Sequence, residues 1–506
     1  MDQPINRRQF LKLLTASALV PFLKPGKKES QQDSPPNVLI LVCDALSAQH
    51  LSLYGYPRRT TPNIERFAER AIVYHNHFAA ANFTTPGTAS LLTGAYPWSH
   101  RAFNTRGTVT ADFIPRNIFA ALEGAPYYRT AFSHNDYAVL FFNQFRKFID
   151  FIKPNEDLFL ANEILLDGVF PRDLNAALLS EDIIFPRDER LPASLFLSIA
   201  DQWRRRLLLD TIERSRGNLF PLGFPMVDED FHPFILEDAT NWLLEQLENL
   251  PKPFFMYHHV LPPHEPYRPR REFIDLFEDG WKPVSKKEHF FSQHLPQTNL
   301  DERRRYYDRY IAYVDAEFGR VYDALAQNGL LENTLVILTS DHGQMFERGI
   351  HGHITPTLYH PLLHIPLLIS QPGHAQRIDI YDPTSAVDIL PTILNLSGIP
   401  ATGWAEGEVL PPFNPSPTPN RDIFALEAKT SFKYRPLIAG TVALMRGPYK
   451  LVRTFGFRDY NDIYEMYDLE NDPEELNDIY PLQVQGVKRM RSDILNMLDA
   501  ADRPYR

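Results

Sequence analysis

One cysteine, Cys43, stands in a chain of 506 residues. An internal disulfide and a cysteine-cluster metal site are therefore excluded, and any metal must be held by Asp, His, Glu or hydroxyl groups. Positive charge is also in short supply: 52 Lys and Arg face 63 Asp and Glu, for a net charge of −11. A general binder of phosphate backbones needs the opposite balance, so nucleic acid is not an expected partner. Glycine (23) is outnumbered by proline (43), which points to many rigid loops laid over a scaffold. No apolar run reaches the ~20 residues that a helix needs to cross ~30 Å of hydrocarbon. What remains is ordinary: 44% hydrophobic and 23% charged residues describe a globular chain. At roughly 150 residues per domain, that chain holds two to three units or one large α/β domain with an appendage.

The N-terminus reads as an address. Asn6-Arg7-Arg8-Gln9-Phe10-Leu11-Lys12 places paired arginines before the short apolar run 13–23, the layout of a twin-arginine export signal. Ala16-Ser17-Ala18 has cleavage-site chemistry but lies inside that run. The expected location is the periplasm or the extracellular face, with a membrane tether if the signal stays uncleaved. Residues 24–36, rich in Lys, Ser, Gln and Pro, read as a linker. Domain boundaries follow: 1–36 signal and linker, 37–417 catalytic domain, 418–506 C-terminal subdomain.

Residues 37–44 form a continuous apolar run ending in Asp44, and 335–341 repeat the shape up to Asp341, with a weaker version at 253–258. Such runs suit strands buried on both faces of a largely parallel sheet flanked by helices, an α/β fold. Helical periodicity marks 234–250 and 306–328 between them. The stretch 151–230 lacks strand rhythm and reads as a mostly helical insertion. Near the end, 442–445 and 449–452 read as hairpin strands and 481–501 as a helix, a small α+β subdomain. Asp44, Asp341 and His342 fall at the carboxyl ends of strands, where open α/β sheets bind ligands.

Four segments carry chemistry together. They are Asp44, the hydroxyl-rich turn from Thr84-Thr85-Pro86-Gly87-Thr88 to Tyr96-Pro97, Ser340-Asp341-His342-Gly343 with His351 and His353 following, and Pro263-His264-Glu265-Pro266-Tyr267. A strand-end Asp alone caps helices, and a Thr before Pro starts turns. Two carboxylates, an imidazole and a helix-start hydroxyl together make an oxygen/nitrogen metal set. Of the other conspicuous residues, His351 and His360 share the loop of His353, with one expected to face solvent. His258 and His259 end a strand, where one is expected only to bond backbone. Asp388 reads as a capping residue, and Arg303-Arg304-Arg305 as a solvated helix face.

From about Asn37 to Asp478 the ordered motifs resemble the sulfatase-like branch of the alkaline phosphatase superfamily. Besides the four segments they include 333–343, Leu358-Tyr359, 365–369, Val387-Asp388 to Thr392, Tyr449-Lys450-Leu451 and Tyr467 to Glu474. The resemblance implies an alkaline-phosphatase-like fold. Sulfatases carry a formylglycine precursor, Cys or Ser, two residues before the proline and an Arg two residues after it. Here those positions hold Thr84 and Thr88, and the second Asp of the usual strand-end pair is Ala45. Threonine at that place is instead similar to the nucleotide pyrophosphatase/phosphodiesterase and phosphoethanolamine transferase branches. That likeness implies Asp44, Thr84, Asp341 and His342 as metal ligands, and His264 and His353 as groups that hold phosphate or a second metal.

The expected function is an exported metal-dependent phosphoester hydrolase or phosphotransferase acting through a covalent phospho-Thr84 intermediate. A metal makes the hydroxyl nucleophilic and offsets charge on the phosphoryl oxygens, and His264 or His353 protonates the leaving oxygen. An imidazole among the ligands favours Zn²⁺ or Mn²⁺, with Mg²⁺ or Ca²⁺ as the alternatives. The substrate is an anionic ester: a glycan, a lipid headgroup or a small phosphodiester. Two other readings stand beside this one: a sulfatase working without formylglycine, and a degenerate member that binds anions without turnover.

Overall fold

The computed structural model describes residues 35–161, 195–227, 232–458, 462–482 and 486–506. The expected export signal and most of the linker lie outside the described residues, as does 162–194 of the expected insertion.

Among the described residues, eight strands form the central sheet: β1 Asn37–Cys43, β2 Ile72–Tyr74, β3 Tyr128–Ser133, β4 Phe151–Ile152, β5 Phe254–Val260, β6 Thr334–Thr339, β7 Leu367–Ser370 and β8 Ile378–Ile380. Their order across the sheet is β8-β2-β7-β6-β1-β5-β3-β4. Pairing is parallel between β1 and β5, β1 and β6, β3 and β5, β3 and β4, and β2 and β8. β7 runs antiparallel to both β6 and β2. The sheet is thus largely parallel, as expected, with one reversed strand.

The apolar run of β1 is explained by its central place. Val38, Ile40 and Val42 pack into one hydrophobic cluster and Leu39, Leu41 and Cys43 into the other, on opposite faces of the sheet. Each fully buried Val, Leu or Ile side chain contributes roughly 1.5–3 kcal/mol, so this strand anchors both layers. β5 alternates in the same way: Phe255 and Tyr257 face the first cluster, Phe254, Met256 and Val260 the second.

Helix α1 (Thr84–Thr93) covers the first face and is buried throughout. Helices α3 (Leu236–Asn249) and α4 (Gln297–Gln327) cover the second, and α2 (Asp136–Gln144) follows β3 on the first face. The 306–328 expectation captured only the last part of α4, because its first turns carry the polar run Asp301 to Arg305. The insertion expectation for 151–230 needs correcting at its start: Phe151–Ile152 is an edge strand paired with β3. Further on, Leu195–Arg216 is helical, as expected.

Strands β9 Ile423–Glu427, β10 Gly440–Arg446, β11 Tyr449–Phe455 and β12 Ile463–Asp468 form an antiparallel sheet, and helix α5 is Val487–Asp502. Leu426, Val442, Leu444, Leu451 and Met466 of this sheet pack against Val487, Met490, Ile494 and Leu498 of α5. This is the small C-terminal α+β subdomain. It touches the loop after His353 through Thr441 Oγ1, which donates to Pro356 O (2.7 Å), and Lys429 Nζ, which donates to Ile354 O (3.1 Å).

Candidate functional site

Three adjacent strands deliver the charged groups. Register pairs Cys43 of β1 with Val260 of β5 and Val42 with both His259 and Thr339 of β6. Asp44, His259 and Asp341 therefore meet at neighbouring strand ends, with one donor atom from each lying within 4.8 Å of the others. All three are buried. His259 Nε2 is 3.4 Å from Asp44 Oδ2 and 4.0 Å from Asp341 Oδ2. His342 joins them: its Nε2 is 3.3 Å from Asp44 Oδ1 and 3.7 Å from Asp341 Oδ2.

The backbone holds these groups in place. Asp341 Oδ1 accepts from the amides of Ala45 (3.3 Å) and His342 (3.0 Å), leaving Oδ2 toward the cluster. His342 Nδ1 donates to Gly343 O (2.8 Å), which turns Nε2 toward the carboxylates. Ala45 has φ 59°, an uncommon left-handed conformation for a residue with a Cβ. Its carbonyl accepts from Tyr307 OH of α4 (2.6 Å), which fixes that turn from below.

Thr84 is the first residue of α1, two residues before Pro86. Its Oγ1 lies 3.3 Å from His342 Nε2. Gly87 allows this approach: a Cβ there would sit 2.4 Å from the carbonyl oxygen of Asp341. Thr88, at the place of the sulfatase arginine, donates to Asp341 Oδ2 (3.4 Å).

His353 lies tilted beside His342, and His264 meets His353 edge-on. Ring centroids are 4.4 Å apart for His342 and His353 and 4.7 Å for His264 and His353. His353 Nδ1 is 2.7 Å from Gln344 Oε1, and Gln344 Nε2 donates to Tyr267 OH (2.6 Å). His264 Nδ1 donates to Glu265 O (2.6 Å), leaving Nε2 open.

Electrostatics follow from burial and crowding. Burial raises the Asp44 carboxyl, but the imidazoles of His259 and His342 close beside it outweigh that and hold the group well below the ordinary range. Burial, with the charge of Asp44 beside it, raises Asp341. His342 is lowered by burial yet carried up to about 9 by the two carboxylates. Burial, reinforced by His342 and His264, keeps His353 far below the usual imidazole value and therefore neutral. The cluster attracts positive charge at one point and keeps a neutral imidazole beside it.

The donor set fits a divalent metal. Asp44 Oδ1 and both ring nitrogens of His259 are buried without a hydrogen-bond partner, a costly arrangement unless a cation satisfies them. Two carboxylates and two imidazoles suit a transition metal better than a set of oxygens alone would.

All six residues expected from the sequence, Asp44, Thr84, His264, Asp341, His342 and His353, converge here. Two others were missed. His259 is signalled by strand alternation, since it follows Phe255 and Tyr257 onto the face covered by α1. Asn135, just after β3, donates through Nδ2 to Asp44 Oδ2 (2.6 Å) and Thr84 Oγ1 (3.3 Å), and nothing in its local sequence marks it.

Several minor expectations change. His360 packs against His364 and Phe78, away from the cluster. His351 is not a solvent-facing residue either: Arg303 Nη1 donates to its Nδ1 (2.8 Å), and its Nε2 is 3.0 Å from Tyr267 OH. Arg303 is thereby engaged with the loop of His353, and buried Arg304 donates to Phe346 O (2.8 Å). Only Asp388 keeps its expected part, in a capping box with Ser385. Cys43 is buried on the other face, where burial first and the nearby carboxylates next push its thiol up to about 12.

Comparison with known proteins bears on the family and the fold. The sulfatase family profile matches residues 36–399, and that of the N-sulphoglucosamine sulphohydrolase C-terminal region matches 349–500. The chain is 25% identical over 467 residues to a choline-sulfatase of Rhizobium meliloti, covering 88% of this chain and 82% of that one. It is 23% identical to an N-acetylglucosamine-6-O-sulfatase of Bacteroides thetaiotaomicron, covering 99% and 92%. Among solved structures, the phosphonate monoester hydrolase of Agrobacterium radiobacter aligns with a TM-score of 0.63 at 19% identity, covering 92% of this chain and 95% of the other.

Proposed function

The chain belongs to the sulfatase family, and from that premise we propose that it is a metal-dependent ester hydrolase in which Thr84 attacks an anionic phosphoryl ester. One observation carries this reading. The residue at the family's nucleophile position is a threonine whose Oγ1 lies 3.3 Å from His342 Nε2, beside two carboxylates and beside His259, whose ring nitrogens have no hydrogen-bond partner. Oxidation of threonine gives a ketone, not the aldehyde whose hydrate serves sulfatases, so the hydroxyl itself is the available nucleophile.

Asp44, Asp341, His259 and His342 would hold the metal next to Thr84, with Zn²⁺ or Mn²⁺ preferred. When bound, the metal supplies Lewis acidity that lowers the hydroxyl pKa and offsets phosphoryl charge. Thr84 sheds its proton to solvent, and Oγ1 bonds to phosphorus as the bond to the leaving alcohol oxygen breaks. The departing electron pair stays on that oxygen, which takes a proton from His264. Water then attacks phosphorus and its proton passes through His353 to solvent, while the Thr84 oxygen leaves and takes a proton from solvent, as does His264, so that all three groups return to their starting state. An acceptor alcohol in place of water would make the same site a transferase.

The relatives named as sulfatases favour a second reading, sulfate-ester hydrolysis without formylglycine. Purified protein of known metal content, assayed with nitrophenyl phosphodiester, phosphomonoester and sulfate beside Thr84→Ala, separates the two. We expect phosphoester turnover to fall by at least ~10³-fold in Thr84→Ala with metal content unchanged. Sulfate turnover that survives Thr84→Ala would overturn the threonine mechanism.

A further inference from the structure

We propose that Asn135 is a catalytic residue: its side-chain amide donates to the Thr84 oxygen as that oxygen becomes the attacking alkoxide. This inference rests on the Thr84 reading above.

An asparagine side chain can usually be turned end for end, but here the orientation is determined. Asn135 caps helix α2, and its Oδ1 accepts from the backbone N–H of Tyr137 (2.9 Å). A backbone N–H can only donate, so the oxygen must be on that side. Nδ2 is therefore aimed into the cluster, where its two hydrogens meet two acceptors. One is Asp44 Oδ2 at 2.6 Å and the other is Thr84 Oγ1 at 3.3 Å. The backbone is equally committed: Asn135 N donates to Ser133 Oγ (2.9 Å), and Asn135 O accepts from Ala138 (3.0 Å) and Val139 (3.1 Å). The residue is buried. Every polar atom is used, and rotation would break the cap.

Two chemical consequences follow. Holding Asp44 Oδ2 leaves Oδ1, which has no hydrogen-bond partner, as the carboxylate oxygen available to a metal. Donating to Thr84 Oγ1 favours the form of that oxygen carrying more negative charge, so the bond strengthens as the proton leaves. A preorganised donor of this kind, in a buried site, is worth ~10²–10³ in rate. In the step itself Oγ1–P forms and the ester P–O bond breaks as above, while Asn135 neither gains nor loses a proton.

The test separates this role from the capping role. Asn135→Ser keeps a side-chain oxygen suited to the cap and removes both N–H donors. Asn135→Asp also keeps the cap but puts a carboxylate against Asp44. Melting temperature, zinc affinity by chelator competition, and the rate of covalent labelling of Thr84 by bis(nitrophenyl) phosphate, read by intact mass, are measured for each. The expected result for Asn135→Ser is a melting temperature close to that of the parent, weaker zinc binding and labelling slowed ~10²-fold. Its kcat should fall with KM little changed. Labelling and zinc affinity equal to the parent's would overturn the proposal and leave Asn135 a capping residue. If the parent protein itself never labels on Thr84, the underlying threonine reading fails, and the proposed role of Asn135 fails with it.

Discussion

At the scale of single residues, the site is built from groups whose ordinary alternatives are blocked. His342 spends Nδ1 on a backbone carbonyl, Asp341 spends Oδ1 on two amides, and each is left with one atom to offer. These residues are legible in the sequence because each sits in a motif of unusual composition. His259 is not, because His258 stands beside it, and only the alternation of β5 tells which of the two shares a face with Tyr257. Asn135 carried no such signal, since its importance comes from a capping position that places its amide near residues distant in the chain. Away from the site, Glu427 offers a clean titration. Burial raises its carboxyl to about 7, with little relief from the Lys429 amide and charge. A raised carboxyl keeps its proton in the folded state between its ordinary value of 4.5 and about 7 while the unfolded chain loses it. Stability from this group is therefore highest below that window and falls as pH rises through it. Glu427→Gln should remove that slope and leave the protein about 3 kcal/mol more stable than the parent at pH 8, with little difference at pH 4.5. Urea midpoints across pH 4.5–8 check it.

At the scale of elements, what the sequence revealed depended on how far each element lies from the middle of the sheet. β1 and β6, buried on both faces, appear as unbroken apolar runs and were read correctly. β2, β4 and β8 are short edge or near-edge strands, too brief to show a period of two, and Phe151–Ile152 was therefore assigned to the insertion. The long helix α4 was recognised where its apolar stripe is dense and lost where arginines serve as internal partners. Helix α1 is unlike the others because its hydroxyls are buried as fully as its leucines, so its position rests on close backbone approach. Gly87→Ala tests that dependence. The added methyl meets the Asp341 carbonyl at 2.4 Å, and backbone on both sides has little room to yield. We expect a loss of ~1–3 kcal/mol and weaker metal binding, read from thermal melts with and without added zinc. An unchanged melt in both conditions would show that α1 can shift without disturbing the cluster.

At the scale of the whole molecule, the family profile, the sheet order and the C-terminal subdomain describe one architecture. No described helix is long and apolar enough to cross a membrane. We propose export through the twin-arginine route, on the strength of Arg7 and Arg8. Replacing both by lysine should leave the protein in the cytoplasm at full length, and fractionation followed by immunoblotting reads this directly. Secretion unaffected by the double replacement would reject the proposal.

The place of β1 has a consequence for how the chain comes together. Both edges of this strand wait for partners far downstream, Phe254–Val260 on one side and Thr334–Thr339 on the other. Asp44 is synthesised early, yet it has no carboxylate neighbour until Asp341 has emerged and β6 has docked. Such distant pairings make folding slow and leave unpaired strand edges exposed in the interval. The Asp44–His259–Asp341 cluster is accordingly a late product of folding, and a chain truncated before β6 would retain Thr84 without Asp341 and His342 beside it.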